Sequence, residues 1–217
     1  MLRSPLLALA LLLALLPSVS FADADPRFAR LRDESVPLES LYGFLERYVG
    51  ECKDLWAGKE CKEKAKRFRQ EANGRKYYMI ITEDQANMLS PGPYNPSNGE
   101  FTVNIAPLFA AGGYAVTHGT PKKTDANGNP VMMFLQAKGS LGPEMTGMQF
   151  ARMFSTRQLR VQVVFTPQEV WELPKKGGKH LGVTAKVHAI LVTVGRTGEQ
   201  VALWLDGGSA PAKGLKR

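Results

Sequence analysis

From Ser35 onward, apolar positions recur every three or four residues: Leu38, Leu41, Tyr42, Leu45, Tyr48 and Val49. That spacing gathers them on one face of an amphipathic helix. Ser35 stands in a capping position, Pro37 falls in the first turn, and Glu39 adds negative charge at the same end. A helix is therefore predicted from Ser35 to about Trp56, broken by Gly58. A second one, from about Lys59 to Ala72, ends at Asn73-Gly74 with a left-handed cap.

After Gly74 the character changes to that of strands, beginning with a run rich in β-formers at 76–81. Strands are predicted at 76–81, 100–106, 114–118, 131–137 and 158–165, the last with Leu159, Val161 and Val163 on one face. A long strand at 183–194 carries Val183, Ala185, Val187, Ala189 and Leu191 on one side. A tight turn at 195–198 joins it to a strand at 200–205. Residues 150–154 fit either a short helix or a strand. Residues 90–99 are rich in proline and glycine and read as a long loop around Tyr94. Lys175, Lys176, Lys179 and His180 read as a second, Gly-rich loop.

Helices first and hairpin-linked strands afterwards predict an α+β fold. An N-terminal αα-hairpin is followed by a mainly antiparallel, rolled or sandwiched sheet of about six or seven strands. The missing strand–helix alternation argues against a dinucleotide-binding fold. The single α+β domain is expected to span 36–206, with helices at about 36–73 and strands at about 76–205. It is flanked by a flexible segment at 25–35 and a disordered tail at 207–217.

The first 24 residues stand apart. Arg3 precedes an apolar run from Leu6 to Leu16, Pro17 ends it, and small residues lead to Ala22 and Ala24. At 1.5 Å per residue such a run covers roughly 16 Å, about half a bilayer's hydrocarbon core. This is the layout of a cleavable signal peptide, with cleavage expected after Ala22 or Ala24. The mature chain is then expected to be extracytoplasmic, either periplasmic or secreted, with no transmembrane segment.

Export changes the meaning of the cysteines. Cys52 and Cys61 are the only two, and an even pair in an exported chain predicts a disulfide. On one unbroken helix, positions nine apart are separated by about 13 Å along the axis, whereas a bridge requires Cα atoms within about 7 Å. The pair therefore requires a helix break, for which Gly58 is placed, and would staple the two helices together.

The formal net charge is +8, and its densest concentration is local. Residues 52–76 hold nine Lys or Arg against four acids. Within them Lys62, Lys66, Arg67, Arg69, Arg75 and Lys76 are candidate contacts for an anionic partner. Tyr94 is a candidate contact in its loop. Catalytic chemistry finds no foothold. His118, His180 and His188 match no zinc-protease spacing, and no nucleophile elbow or phosphate-binding loop occurs. Residues 125–130 begin like a calcium loop, but Pro130 stands where its glycine belongs, so a polar turn is the better reading. No metal or cofactor is expected, and a nucleic-acid role is disfavoured by export. The sequence thus predicts a non-enzymatic binding or assembly module that meets an anionic macromolecule or another envelope protein. The alternatives are an envelope hydrolase with dispersed catalytic residues, and a structural subunit pairing through a strand edge.

Overall fold

The computed structural model describes residues 25–50, 58–81, 89–105, 114–117, 120, 135–140, 146, 148–149, 151–152, 158–175, 177–195, 197–198, 200–206 and 208–209. The apolar leader, Cys52, His118 and the 125–130 turn lie outside them.

Chain order runs α1 (Pro26–Asp33), β1 (Val36–Pro37), α2 (Leu41–Val49), α3 (Gly58–Ala72), β2 (Tyr77–Ile81), β3 (Leu89–Asn95), β4 (Glu100–Ile105), β5 (Tyr114–Thr117), β6 (Leu135–Ser140), β7 (Leu159–Lys175), β8 (Gly178–Val194), β9 (Gln200–Leu205) and β10 (Gly208–Ser209). The fold is α+β. Its main sheet is ordered β1-β2-β7-β8-β9-β10, with β5 also on β8, and β3-β4-β6 form a smaller sheet. Pairing is mainly antiparallel; among the described residues only β1 on β2 and β5 on β8 run parallel.

The segment expected to be loose at 25–35 is helix α1. Asp25 caps it by accepting from the Arg27 amide, and Pro26 occupies the first turn. Phe28 anchors it, with no exposed surface. Ser35 acts at the opposite kind of helix end from the one expected: its hydroxyl donates to the Leu31 carbonyl and closes α1. The following helix starts later, after Ser40, whose side chain accepts from the Gly43 amide. It stops at Gly50, which adopts a left-handed φ of 67°. Between them Val36 and Pro37 pair with Tyr77 and Tyr78, so the predicted first turn is an edge strand.

The hairpin of β7 and β8 is the spine. Both strands are longer than their clean alternation indicates, because residues 166–182, which lack that alternation, continue the pairing to a tip at Lys175 and Gly178. The lysine-rich stretch expected to be a loop is this tip. Gly182 lies opposite Trp171, and any Cβ there would overlap the indole ring and come 2.6 Å from the Ala115 carbonyl oxygen. The indole Nε1 donates to Thr117 Oγ1 at 2.9 Å, satisfying both buried polar groups.

Strand β8 is buried on both faces through most of its length. One face packs with Leu45, Tyr48, Tyr77, Phe165 and Ile190 beneath α2. The other packs Val164, Ala189, Leu191, Leu203 and Leu205 beneath Phe28 of α1. Val183, Ala185 and Val187 belong to the first face and Ala189 and Leu191 to the second, so the predicted single face is split. The register explains it: Phe165 opposes Val187 while Val164 opposes Ala189, which leaves His188 as an extra residue in a bulge. One added residue reverses the parity of everything beyond it.

The proline-rich stretch expected to be a loop is strand β3, paired with β4 across a register shift between Pro91 and Tyr94. Prolines are tolerated there because β3 is an edge strand. The tail also contributes pairing, with Gly208 and Ser209 opposite Leu205 and Trp204.

Candidate functional site

Helix α3 is held chiefly by α2. Only Ala65 and Ala72 of its residues are buried, and Phe68 adds edge-on ring contacts with Phe44 and Tyr48 at 5.7 and 6.3 Å. The end of α2 comes close to α3 at Gly50 and Ala65, where a Cβ on residue 50 would overlap the alanine methyl. Cys61 Sγ lies 3.9 Å from the Gly50 carbonyl oxygen.

The six basic residues singled out from the sequence do not form one surface. Arg69 turns inward: its Nη1 donates to the carbonyls of Tyr48 at 2.7 Å and Val49 at 3.2 Å. Those are the orphan acceptors at the end of α2, and a guanidinium suits them by charge and by donor number. Lys76 lies beyond α3 and pairs with Glu34, the residue that follows α1, at 2.7 Å. Lys76 and Arg30 together hold the Glu34 carboxyl below its usual range. Arg75 is exposed in the turn after α3. Lys62, Lys66 and Arg67 are exposed on α3 itself.

A helix turns about 100° per residue, and this separates Arg67 from the two lysines. Arg67 lies on the side that faces a groove of about 560 Å³ between α2 and α3. Glu46, Glu60 and Glu71 line that groove together with Arg47, Lys64 and Arg67, so its formal charge cancels. Lys64 pairs with Glu60 at 2.6 Å and holds that carboxyl below its ordinary range. Arg47, which sequence reasoning missed, lies 4.2 Å over the Phe68 ring. On the other side Lys59, Lys62 and Lys66 are all exposed and fall within an arc of about 60°. None of the three makes an ion pair among the described residues. Their spacing of three and four was legible as a helical stripe, but Lys59 was not singled out.

Tyr94 occupies strand β3 rather than a loop. It is half-buried opposite Phe101 and packs on the main core. Alternation along its strand predicts that His188 points outward beside Lys186. It is instead half-buried at the bulge, with Nε2 2.8 Å from Thr166 Oγ1. Burial, reinforced by Lys186 and Lys76, pushes its pKa below the ordinary value against the pull of Asp206. Lys186 itself pairs with Asp206 at 3.3 Å. No cluster of three metal-ligating side chains occurs among the described residues. No helix among them is long and apolar enough to cross a membrane.

The chain belongs to a family of unknown function, DUF6066, whose model matches residues 2–214. Comparison with curated proteins and with solved structures gave no match.

Proposed function

For this member of a family without an assigned activity, we propose an exported, non-enzymatic binding module whose contact surface is the lysine ridge of α3. One observation carries the reading. Lys59, Lys62 and Lys66 are exposed side by side, without ion pairs among the described residues, on a helix that buries only two alanines. A helix devoted to the core would bury a broad apolar stripe. This one spends its length presenting charge, which is what attraction of an anionic macromolecule or an acidic envelope protein requires.

Export rests on the apolar leader, and the family match starts at residue 2 and so runs through it. An oxidising compartment fits a bridge between Cys52 and Cys61. The bridge is supported by the position of Cys61 beside Gly50, two residues before Cys52, and by the absence of a free thiol among the described residues. It would tie the start of α3 to the end of α2 and so orient the ridge. Edge pairing has less support. The terminal strands β1 and β10 of the main sheet have two residues each, and β3 carries two prolines.

Retention on immobilised heparin, a generic polyanion, tests the ridge. Replacing Lys59, Lys62 and Lys66 with glutamate is expected to abolish retention. Replacing the exposed Arg160, Lys179 and Lys186 with glutamate makes the same change in net charge and is expected to leave most of it. Equal losses would mean that overall charge, and not the ridge, does the binding. The mass of the exported chain, with a start at Asp23 or Asp25, tests the leader.

A further inference from the structure

We infer that the partner of the ridge is a single linear polyanion lying along α3, rather than a flat anionic membrane; this rests on the reading of the ridge as the contact surface. The shape of the positive field is the reason. Lys59, Lys62 and Lys66 follow one another at axial steps of about 4.5 and 6 Å, on a strip about 60° wide. Neither flank widens that strip. On one side Arg69 is turned inward onto the α2 carbonyls. On the other the groove between α2 and α3 is lined by as many acids as bases. Glu63 is exposed next to the lysines on the outward surface of the same helix. A flat sheet of headgroups pressed against α3 would meet Glu63 as well as the lysines. A single chain can follow the lysines and pass the glutamate by.

The remaining chemistry of the surface points the same way. The outward positions of α3 hold Lys, Glu, Arg and Gln and no apolar side chain, so the helix has nothing to insert between lipids, as an interfacial helix does. No aromatic ring faces outward either. Phe68 packs against Phe44 and Tyr48 and is covered by Arg47, which removes the stacking platform that single-stranded nucleic acid uses. Recognition by charge alone, along a line, is what remains.

Salt dependence counts the contacts. If three lysines each displace a counterion from a polymer, the slope of log K against log salt is about −2 to −3, a loss of roughly 20- to 40-fold in affinity between 50 and 200 mM salt. The experiment titrates the mature protein into labelled long-chain inorganic polyphosphate by anisotropy, and into phosphatidylglycerol vesicles by sedimentation. Expected for polyphosphate is that slope, made shallower by about 0.7 to 0.9 for each of K59Q, K62Q and K66Q. Vesicle binding is expected to be weaker and to rise several-fold in Glu63→Gln, with little change on polyphosphate. Vesicle binding that is as tight, equally dependent on the three lysines and indifferent to Glu63 would overturn the linear polymer while sparing the ridge. Binding of both probes that ignores all three lysines would overturn the ridge as well.

Discussion

Strand β8 and helix α3 have similar lengths, 17 and 15 residues, and opposite economies. Every residue of β8 from Leu181 to Ala185 and from Ala189 to Thr193 is buried. Its neighbours are β7 on one edge, β5 and β9 on the other, α2 above and α1 below. Helix α3 is attached along one narrow line by two alanines, one phenylalanine and one inward arginine. Residues at the centre of β8 are constrained by shape from all sides, whereas those on the outside of α3 are constrained by almost nothing within the chain. That difference teaches where packing within the chain ends and where contact with a partner can begin. Three neighbouring lysines stand on a surface that packing does not explain.

The comparison breaks most severely at the spine. Trp171→Ala should destabilise the whole domain by about 3–5 kcal/mol, because it empties a large buried site and removes the indole's hydrogen bond to the Thr117 hydroxyl. Chemical denaturation would register this as a lower midpoint by every probe at once. Equal loss of protection in the sheet and in α3 would confirm a global effect, and a loss confined to the hairpin tip would refute it.

Arg69→Ala should have a smaller and local effect. Two carbonyls lose a charged donor, worth about 1.5–3 kcal/mol, and α3 loses its anchor to the end of α2. Hydrogen exchange should therefore accelerate in α2 and α3 while β7 and β8 stay protected. A uniform change across the sheet would show that the two regions are one cooperative unit.

A pH titration sharpens the sheet side of the comparison. The pKa of His188 is lowered in the folded state by burial, so the unfolded chain binds its proton more readily. Stability is then unaffected well above the ordinary value of 6.5, and falls as the pH drops through 6.5 toward the folded value. His188→Gln should flatten that part of the profile. An unchanged profile would mean that another group carries the dependence.

The smallest stability effect belongs to the ridge. K59Q, K62Q and K66Q, singly or together, should move the unfolding free energy by no more than about 0.5 kcal/mol, as exposed unpaired positions do, while each weakens polyanion binding and the three together remove it. A large destabilisation would assign the lysines to the fold and not to contact.

Much of this architecture was legible in local pattern. The three- and four-residue spacing marks α2, alternation marks β4 and β7, a run of β-forming residues marks β2, and the tight turn before it marks β9. What escaped is instructive residue by residue. Helix α1 is short and charged on its exposed sides, and only Phe28 reveals its purpose, once a sheet face exists to receive it. Tyr94 sits among prolines, which speak for a loop until an edge position makes them tolerable. Arg69 is indistinguishable in sequence from Lys66, because both occupy a basic run.

By itself the sequence determined the α+β order, a helix following the break at Gly58, the two-residue period of β4 and of the first part of β7, and the concentration of positive charge near α3. These follow from neighbours within about one helical turn or one strand, whose preferences are set by local sterics and by which face is apolar. Tertiary structure alone decided that β8 is covered on both faces, that the bulge at His188 exchanges those faces, and that Arg69 faces inward while Lys59, Lys62 and Lys66 face out. The reason is that burial and charge pairing depend on partners far away in the chain. Val36 meets Tyr77, Tyr48 reaches the Gln168 carbonyl, and Asp25 donates to Gln200, contacts that no window of adjacent residues contains.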